Sequence, residues 1–229
     1  MAPHFPAGAL SFLRALVRHN DRDWFRERRE RYERELRAPM AAIVEQLDRD
    51  FRTFAPDLVA TPKRSIFRIY RDTRFSEDKS PLKTHVAAAF PHRQLRRNTG
   101  AALYLELNAR TVLMAGGLYA PASPELRAVR LHIADNLARF RTIVEAPRFV
   151  RQTGGLQGER LSRMPRGFPP DHRASDYLRM KQFLIWKELP APMATSPRFY
   201  GSLLHVFRAA SPLVRFLNEP LTRPTSFGA

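Results

Sequence analysis

The chain has no cysteine among its 229 residues. That excludes disulfides, thiolate nucleophiles and thiolate metal sites, and it is compatible with a reducing compartment. No stretch approaches the roughly eighteen consecutive apolar residues of a membrane span, and the opening Met-Ala-Pro-His-Phe-Pro lacks the basic-then-apolar layout of a secretory leader. A cytoplasmic location without membrane association is the expectation. Several familiar catalytic signatures are missing too: there is no Walker loop, no dinucleotide glycine fingerprint, no His-Glu-x-x-His and no Gly-x-Ser-x-Gly. No cofactor is assigned and no metal site is expected.

Acidic residues are also few, 22 against 39 basic ones, for a formal charge of +17. Taken alone, that charge predicts attraction to nucleic acid, acidic lipid or a phosphorylated ligand. Arginine outnumbers lysine 34 to 5 beside abundant alanine and proline. This is the usage of a GC-rich genome at ordinary surface positions, so part of the basicity is background. Lysine is nevertheless kept at Lys63, Lys79, Lys83, Lys181 and Lys187, and three of these fall near one motif. A compact, titratable ammonium and a planar, permanently charged guanidinium are not interchangeable.

Hydrophobic spacing predicts an α+β fold in one domain spanning 1–229, with a helical part at about 8–55, a sheet-rich middle at about 64–120 and a helix/loop/helix remainder. Leu10, Leu13 and Val17 form one helical stripe, followed by Trp24, Phe25, Tyr32 and Leu36, then Ile43, Leu47 and Phe51. Asn20-Asp21 separates the first two, and Pro39 splits the run again. Strands are expected at 65–70, at 101–107 and 111–119 as a hairpin, and at 182–189. Ser123 N-caps a helix that starts on Pro124 and reaches Glu145. A glycine- and proline-rich loop fills 154–172, a short helix covers 175–179, and a last helical region at 196–217 is broken or kinked at Pro212. The sheet should be mainly antiparallel.

Chemistry concentrates in Arg68-Ile-Tyr-Arg71-Asp72-Thr-Arg74-Phe75-Ser-Glu-Asp78-Lys79-Ser-Pro-Leu82-Lys83-Thr-His85, which holds five cations within the sixteen residues 68–83. Asp72, Asp78 and the serines compete for local backbone hydrogen bonds, so a turn-rich connection is expected. Guanidinium groups around such a connection suit a phosphate or carboxylate; an internal network of Arg68, Arg71 and Arg74 with Asp72, Glu77 and Asp78 is the alternative. Phe67, Tyr70 and Phe75, interleaved with arginine, would permit base stacking. A second cluster holds Arg163, Arg166, Asp171, His172, Asp176 and Lys181. There Asp171, His172 and Asp176 resemble a metal set or an acid/base pair or, more simply and preferably, a helix cap and its neighbour.

The run Arg68-x-x-Arg71-Asp72-x-Arg74-Phe75-x-x-Asp78-Lys79 resembles the signature of a bacterial family catalogued as domain of unknown function 2461. The likeness continues through Asn20, Trp24-Phe25, Gly117-x-Tyr119-x-Pro121, Leu126, Arg130, Arg163-x-Pro165-x-Gly167, Asp171-His172, Asp176 and Lys181, and so covers nearly the whole chain. Two departures stand out. Leu82 takes the place of a tyrosine and Arg173 that of a proline, so no role can be carried over for that tyrosine. The resemblance implies no activity, only that these scattered segments belong together.

The resulting expectation is one polar pocket that binds a small anionic ligand through Arg68, Arg71, Arg74, Lys79, Lys83, Tyr119, Arg130, Arg163 and Lys181. Asp72, Asp171 and His172 are the candidates for acid/base work. Nucleic-acid binding by a basic surface and a structural ion-pair staple are the competing readings. Neither a reaction nor an oligomeric state follows from the residues.

Overall fold

The computed structural model describes residues 2–74, 77–96 and 99–222; Phe75 and Ser76 of the motif lie outside the described residues. The N-terminal third is helical, with α1 (Gly8–Arg18), α2 (Arg22–Glu27), α3 (Arg29–Tyr32) and α4 (Ala38–Phe54). Asp21 caps α2, its carboxylate accepting from the Trp24 N–H at 2.8 Å. Two expectations here need correction. Val17 is 55% exposed and Leu16 turns inward instead, because only one of the positions three and four residues past Leu13 fits the core. Pro39 does stand in the first turn of a helix, α4, but the run is not interrupted there: a π-helical turn, Glu33–Arg37, joins α3 to α4, with the Ala38 N–H bonded five residues back to the Glu33 carbonyl. The wider turn accommodates the missing proline donor.

The expected strand at 65–70 is absent. Residues Pro62–Ser65 close a short helix, α5, and the chain then touches the sheet through a single bridge, Ile66 to Ala88, with the Phe67 N–H on the Ala87 carbonyl at 3.0 Å. It next turns away and pairs with its own return leg. Tyr70 bridges Leu82, the Arg71 N–H meets the Pro81 carbonyl at 2.9 Å, and the Lys83 N–H meets the Ile69 carbonyl at 2.8 Å.

The sheet is fully antiparallel in the order β1 (His85–Phe90), β2 (Ala102–Asn108), β3 (Thr111–Leu118) and β4 (Phe183–Pro190). The β2–β3 hairpin is where spacing placed it, its turn held by the Asn108 side-chain Oδ1 accepting from the Arg110 and Thr111 N–H groups at 2.8 and 2.9 Å. β1 was not foreseen, because its three central alanines carry little strand preference.

Between β3 and β4 come α6 (Ser123–Asp135), α7 (Leu137–Val144), α8 (Pro147–Thr153) and α9 (Ser175–Leu178); α10 (Phe199–Thr222) ends the described chain. The cap of α6 is Ala122, one residue earlier than expected, and Asn136 interrupts the helix, its amide donating to the His132 carbonyl at 2.9 Å. Of the break or kink expected at Pro212, the break is absent: α10 runs on through it. Its inward face of Leu203, Phe207, Ala210, Leu213, Phe216 and Leu217 is wholly buried, and that packing outweighs the missing backbone bond. The helix approaches β3 closely at Gly116, where a Cβ would lie 2.8 Å from Leu103 Cδ2 and 3.5 Å from Ala210.

Strand alternation gives the sheet two unlike faces. Val86, Ala88, Phe90, Leu103, Leu105, Leu107, Val112, Met114 and Ile185 are buried in the core that contains α10. The other face carries His85, Tyr104, Glu106, Leu113, Ala115, Trp186 and Glu188 in cross-strand register, and Trp186 is 43% exposed. Among the described residues no helix is long and apolar enough to cross a membrane.

Candidate functional site

The return leg of the motif is clamped from a distance. Asn20, in the link between α1 and α2, donates its side-chain amide to the Leu82 carbonyl and accepts from the Leu82 N–H, both at 3.0 Å. Leu82 itself is fully buried. With the backbone pinned on both sides, Lys83 and Thr84 are delivered to the mouth of β1, where a cleft of about 470 Å³ opens between Arg71, Asp72, Lys83, Thr84 and His85.

Within the cleft, Arg71 Nη1 pairs with the Asp78 carboxylate and donates to Ser80 Oγ at 3.0 Å. Its Nε and Nη2 have no protein partner among the described residues. The Ser80 hydroxyl and N–H, and then Arg71, hold the Asp78 carboxyl at about 2. Asp72 accepts both arms of the Arg74 guanidinium, at 3.0 and 2.8 Å, and these bonds keep it below the usual carboxylate range. Lys83 Nζ sits 4.9 Å from the centroid of the Phe67 ring. His85 Nε2 lies 3.8 Å from Glu106 Oε2, which in turn accepts from the Tyr104 hydroxyl at 2.6 Å. Burial pushes the imidazole below its ordinary value; the Glu106 charge opposes that shift, while Lys83 and Arg71 add to it. The Tyr104 hydroxyl is pushed upward, first by burial and then by its bond to Glu106.

The remaining residues expected in one pocket are divided. Arg68 is exposed beside the cleft, close enough for its charge to act on Asp72, and Lys79 Nζ donates to the Thr73 carbonyl at 3.1 Å. Tyr119, 75% exposed, follows the end of β3. Arg130, Arg163, Lys181, Asp171 and His172 belong to a different corner. His85 pairs with Asn108 at one end of β2, whereas Phe183, next to Gln182 and Lys181, pairs with Leu118 at the other end of β3, on the opposite edge of the sheet. The two groups are therefore diagonally opposed and do not line one pocket. In the far corner, Arg130 Nη2 donates to the Met180 carbonyl at 2.8 Å and Lys181 pairs with Glu159 at 3.0 Å. His172 Nδ1 accepts from the Ala174 N–H at 3.0 Å, while Asp171 and Arg163 are exposed.

A smaller cavity of about 200 Å³ lies against the end of α10, lined in part by His92, Ser211, Arg215, Asn218 and Glu219. Most of its polar groups already serve the fold. Asn218 brackets both backbone groups of Ala101, Ser211 bonds the Phe207 carbonyl, and Glu219 holds His132 and Arg139. Among the described residues no three histidine, aspartate or glutamate side chains gather as a metal centre requires.

Sequence reasoning singled out Arg71, Asp72 and Lys83 but not Thr84, His85, Glu106 or Tyr104. Their signal was present in β2, where Tyr104 and Glu106 alternate with Leu103, Leu105 and Leu107 and so must face away from the core. The chain matches, over residues 8–216, the family model described as conserved hypothetical protein (DUF2461). No curated protein matches it.

Proposed function

We propose that this chain, which belongs to that family of conserved hypothetical proteins, binds a small phosphate- or carboxylate-bearing ligand in the cleft at the mouth of β1. The observation that carries this reading is the Arg71 guanidinium at the cleft, whose Nη1 is taken by Asp78 and Ser80 while Nε and Nη2 have no partner among the described residues. Lys83 and His85 line the cleft beside it; of the carboxylates around them, Asp72 is bound by both arms of Arg74 and Glu106 stands 3.8 Å from His85. A ligand anion would meet Arg71 Nε and Nη2, the Lys83 ammonium and the Thr84 hydroxyl, a set that supplies both a planar fork and a point charge. Asp72 is held ionised and so is an acceptor rather than a proton donor. His85 is the group in the cleft able to gain a proton as an anion enters.

Thermal unfolding in the presence of inorganic phosphate tests the reading. A ligand at a hundred times its dissociation constant stabilises by about 2.7 kcal/mol. The expected result is a rise in melting temperature that is lost in Arg71→Ala and in Lys83→Met while both variants keep the native circular dichroism. Absence of any rise with phosphate or simple carboxylates would remove the proposal.

A further inference from the structure

Resting on the reading of the cleft as an anion site, we infer that its ligand is a phosphate monoester with a planar ring, of the kind found in a nucleoside monophosphate, and that the ring lies over Ala115 between Tyr104 and Trp186. The register carries this assignment. Tyr104 pairs with Ala115 and Ala115 pairs with Trp186, so on the face turned away from α10 two aromatic side chains flank an alanine in one row. Strands two apart are separated by about 9.6 Å, and side chains stand roughly upright from the sheet. A flat ring in van der Waals contact on both sides needs about 7 Å. Ala115 is half-buried, and Trp186 is largely exposed for a ring of its size.

The Phe67 ring stands between the cleft and the slot. Lys83 Nζ is 4.9 Å from the Phe67 ring, whose centroid is 6.3 Å from that of Tyr104. The cation and the first wall of the slot are therefore no further apart than those two steps laid end to end, so an extended ligand with its phosphate at Lys83 can reach the slot. Glu106 fixes the Tyr104 hydroxyl at 2.6 Å and so holds that wall on the cleft side. Charge also selects the ligand. The cleft end presents Arg71, Lys83 and His85, and the slot itself presents two neutral rings, with Glu106 and Glu188 in the next row of the same face. A ligand that is anionic at one end and flat and neutral at the other matches both halves.

Fluorescence and calorimetric titrations of the full chain with inorganic phosphate, ribose 5-phosphate and adenosine or uridine monophosphate separate this inference from the reading beneath it. Stacking predicts that the nucleoside monophosphates bind roughly ten to a hundred times more tightly than ribose 5-phosphate. They should also quench the emission that disappears in Trp186→Phe, a variant in which Trp24 is the remaining tryptophan. Trp186→Ala should abolish the advantage of the base and leave the affinity for ribose 5-phosphate unchanged; Tyr104→Leu, which also releases Glu106 beside His85, should abolish the same advantage whatever it does to ribose 5-phosphate. Should one of these variants not fold, the other and the quenching in the unaltered chain still decide. Equal affinity for ribose 5-phosphate and the nucleotides, or an advantage that survives both variants, overturns the inference and leaves the anion site standing. Failure of every phosphate removes both. Binding of oligonucleotides alone, falling steeply with salt, also overturns it, because that is the mark of a phosphate-backbone surface.

Discussion

Two charge-rich segments of this protein, 68–83 and 159–181, use similar residues to opposite ends. In the first, arginines pair with nearby carboxylates at the surface, as Arg71 does with Asp78 and Arg74 with Asp72, and Arg71 still presents two donor nitrogens at a cleft. In the second, the polar groups hold backbone and neighbouring side chains: Arg130 reaches in from α6 to the Met180 carbonyl, Lys181 holds Glu159, Arg179 holds Asp176, and His172 accepts from Ala174. Residue type alone therefore does not separate a binding motif from a fastening. The separation comes from whether donors remain unpaired around a concavity.

The sharpest way to break that contrast is at Arg130, only 8% exposed and with its Nε unbonded among the described groups. Arg130→Ala removes a buried stem and leaves the Met180 carbonyl without its partner, for an expected loss of about 2 to 4 kcal/mol in urea denaturation. Arg130→Met restores the packed stem without a desolvated charge and should recover most of the loss. A stable Arg130→Ala that no longer bound phosphate would turn the contrast around. Next in size is Arg71→Ala, expected to weaken phosphate binding by at least about tenfold, the loss of one charge-assisted bond pair. Its melting temperature should move by less than about 3 °C, since exposed ion pairs contribute little.

A smaller effect follows from His85. Burial lowers its value in the folded state, so between the ordinary 6.5 and that lower value the unfolded chain takes up a proton that the folded chain refuses. Stability is thus full above about pH 6.5 and declines as the pH falls through that window. His92, also lowered by burial, adds a decline of the same sign. Urea denaturation from pH 7.5 to 5.5 should show the fall, and His85→Gln should lessen it without removing it. A bound anion offsets the cost of protonating His85, so phosphate should flatten the slope in the parent chain and leave the slope of His85→Gln nearly unchanged.

The hairpin of β2 and β3, the antiparallel sheet and the helical first third were legible because each rests on local periodicity or turn chemistry, as at Asn108 and Asp21. β1 was not, because alanine is silent between helix and strand and its place is set by pairing with β2. The motif could be read as cation-rich, but the clamp of Asn20 on Leu82 spans 62 residues and has no periodic signature. For the same reason Tyr104 and Glu106 joined His85 only once the register was known. Grouping the two charged segments into one pocket failed on topology: they attach to opposite edges of the sheet, which composition cannot register.

Lys181 gives the contrast its finest test, since it was expected at the ligand and stands in the fastening corner. Its ammonium pairs with Glu159 at 3.0 Å, with both side chains about half exposed or more. The connection between their segments does not depend on that pair, because the Lys181 N–H already meets the Glu159 carbonyl at 2.8 Å and Arg160 bridges Met180. Lys181→Ala should therefore change stability by no more than about 0.5 kcal/mol and leave phosphate affinity unaltered. A tenfold loss of phosphate binding in this variant, with stability intact, would place a ligand contact in the far corner and erase the distinction between the two segments.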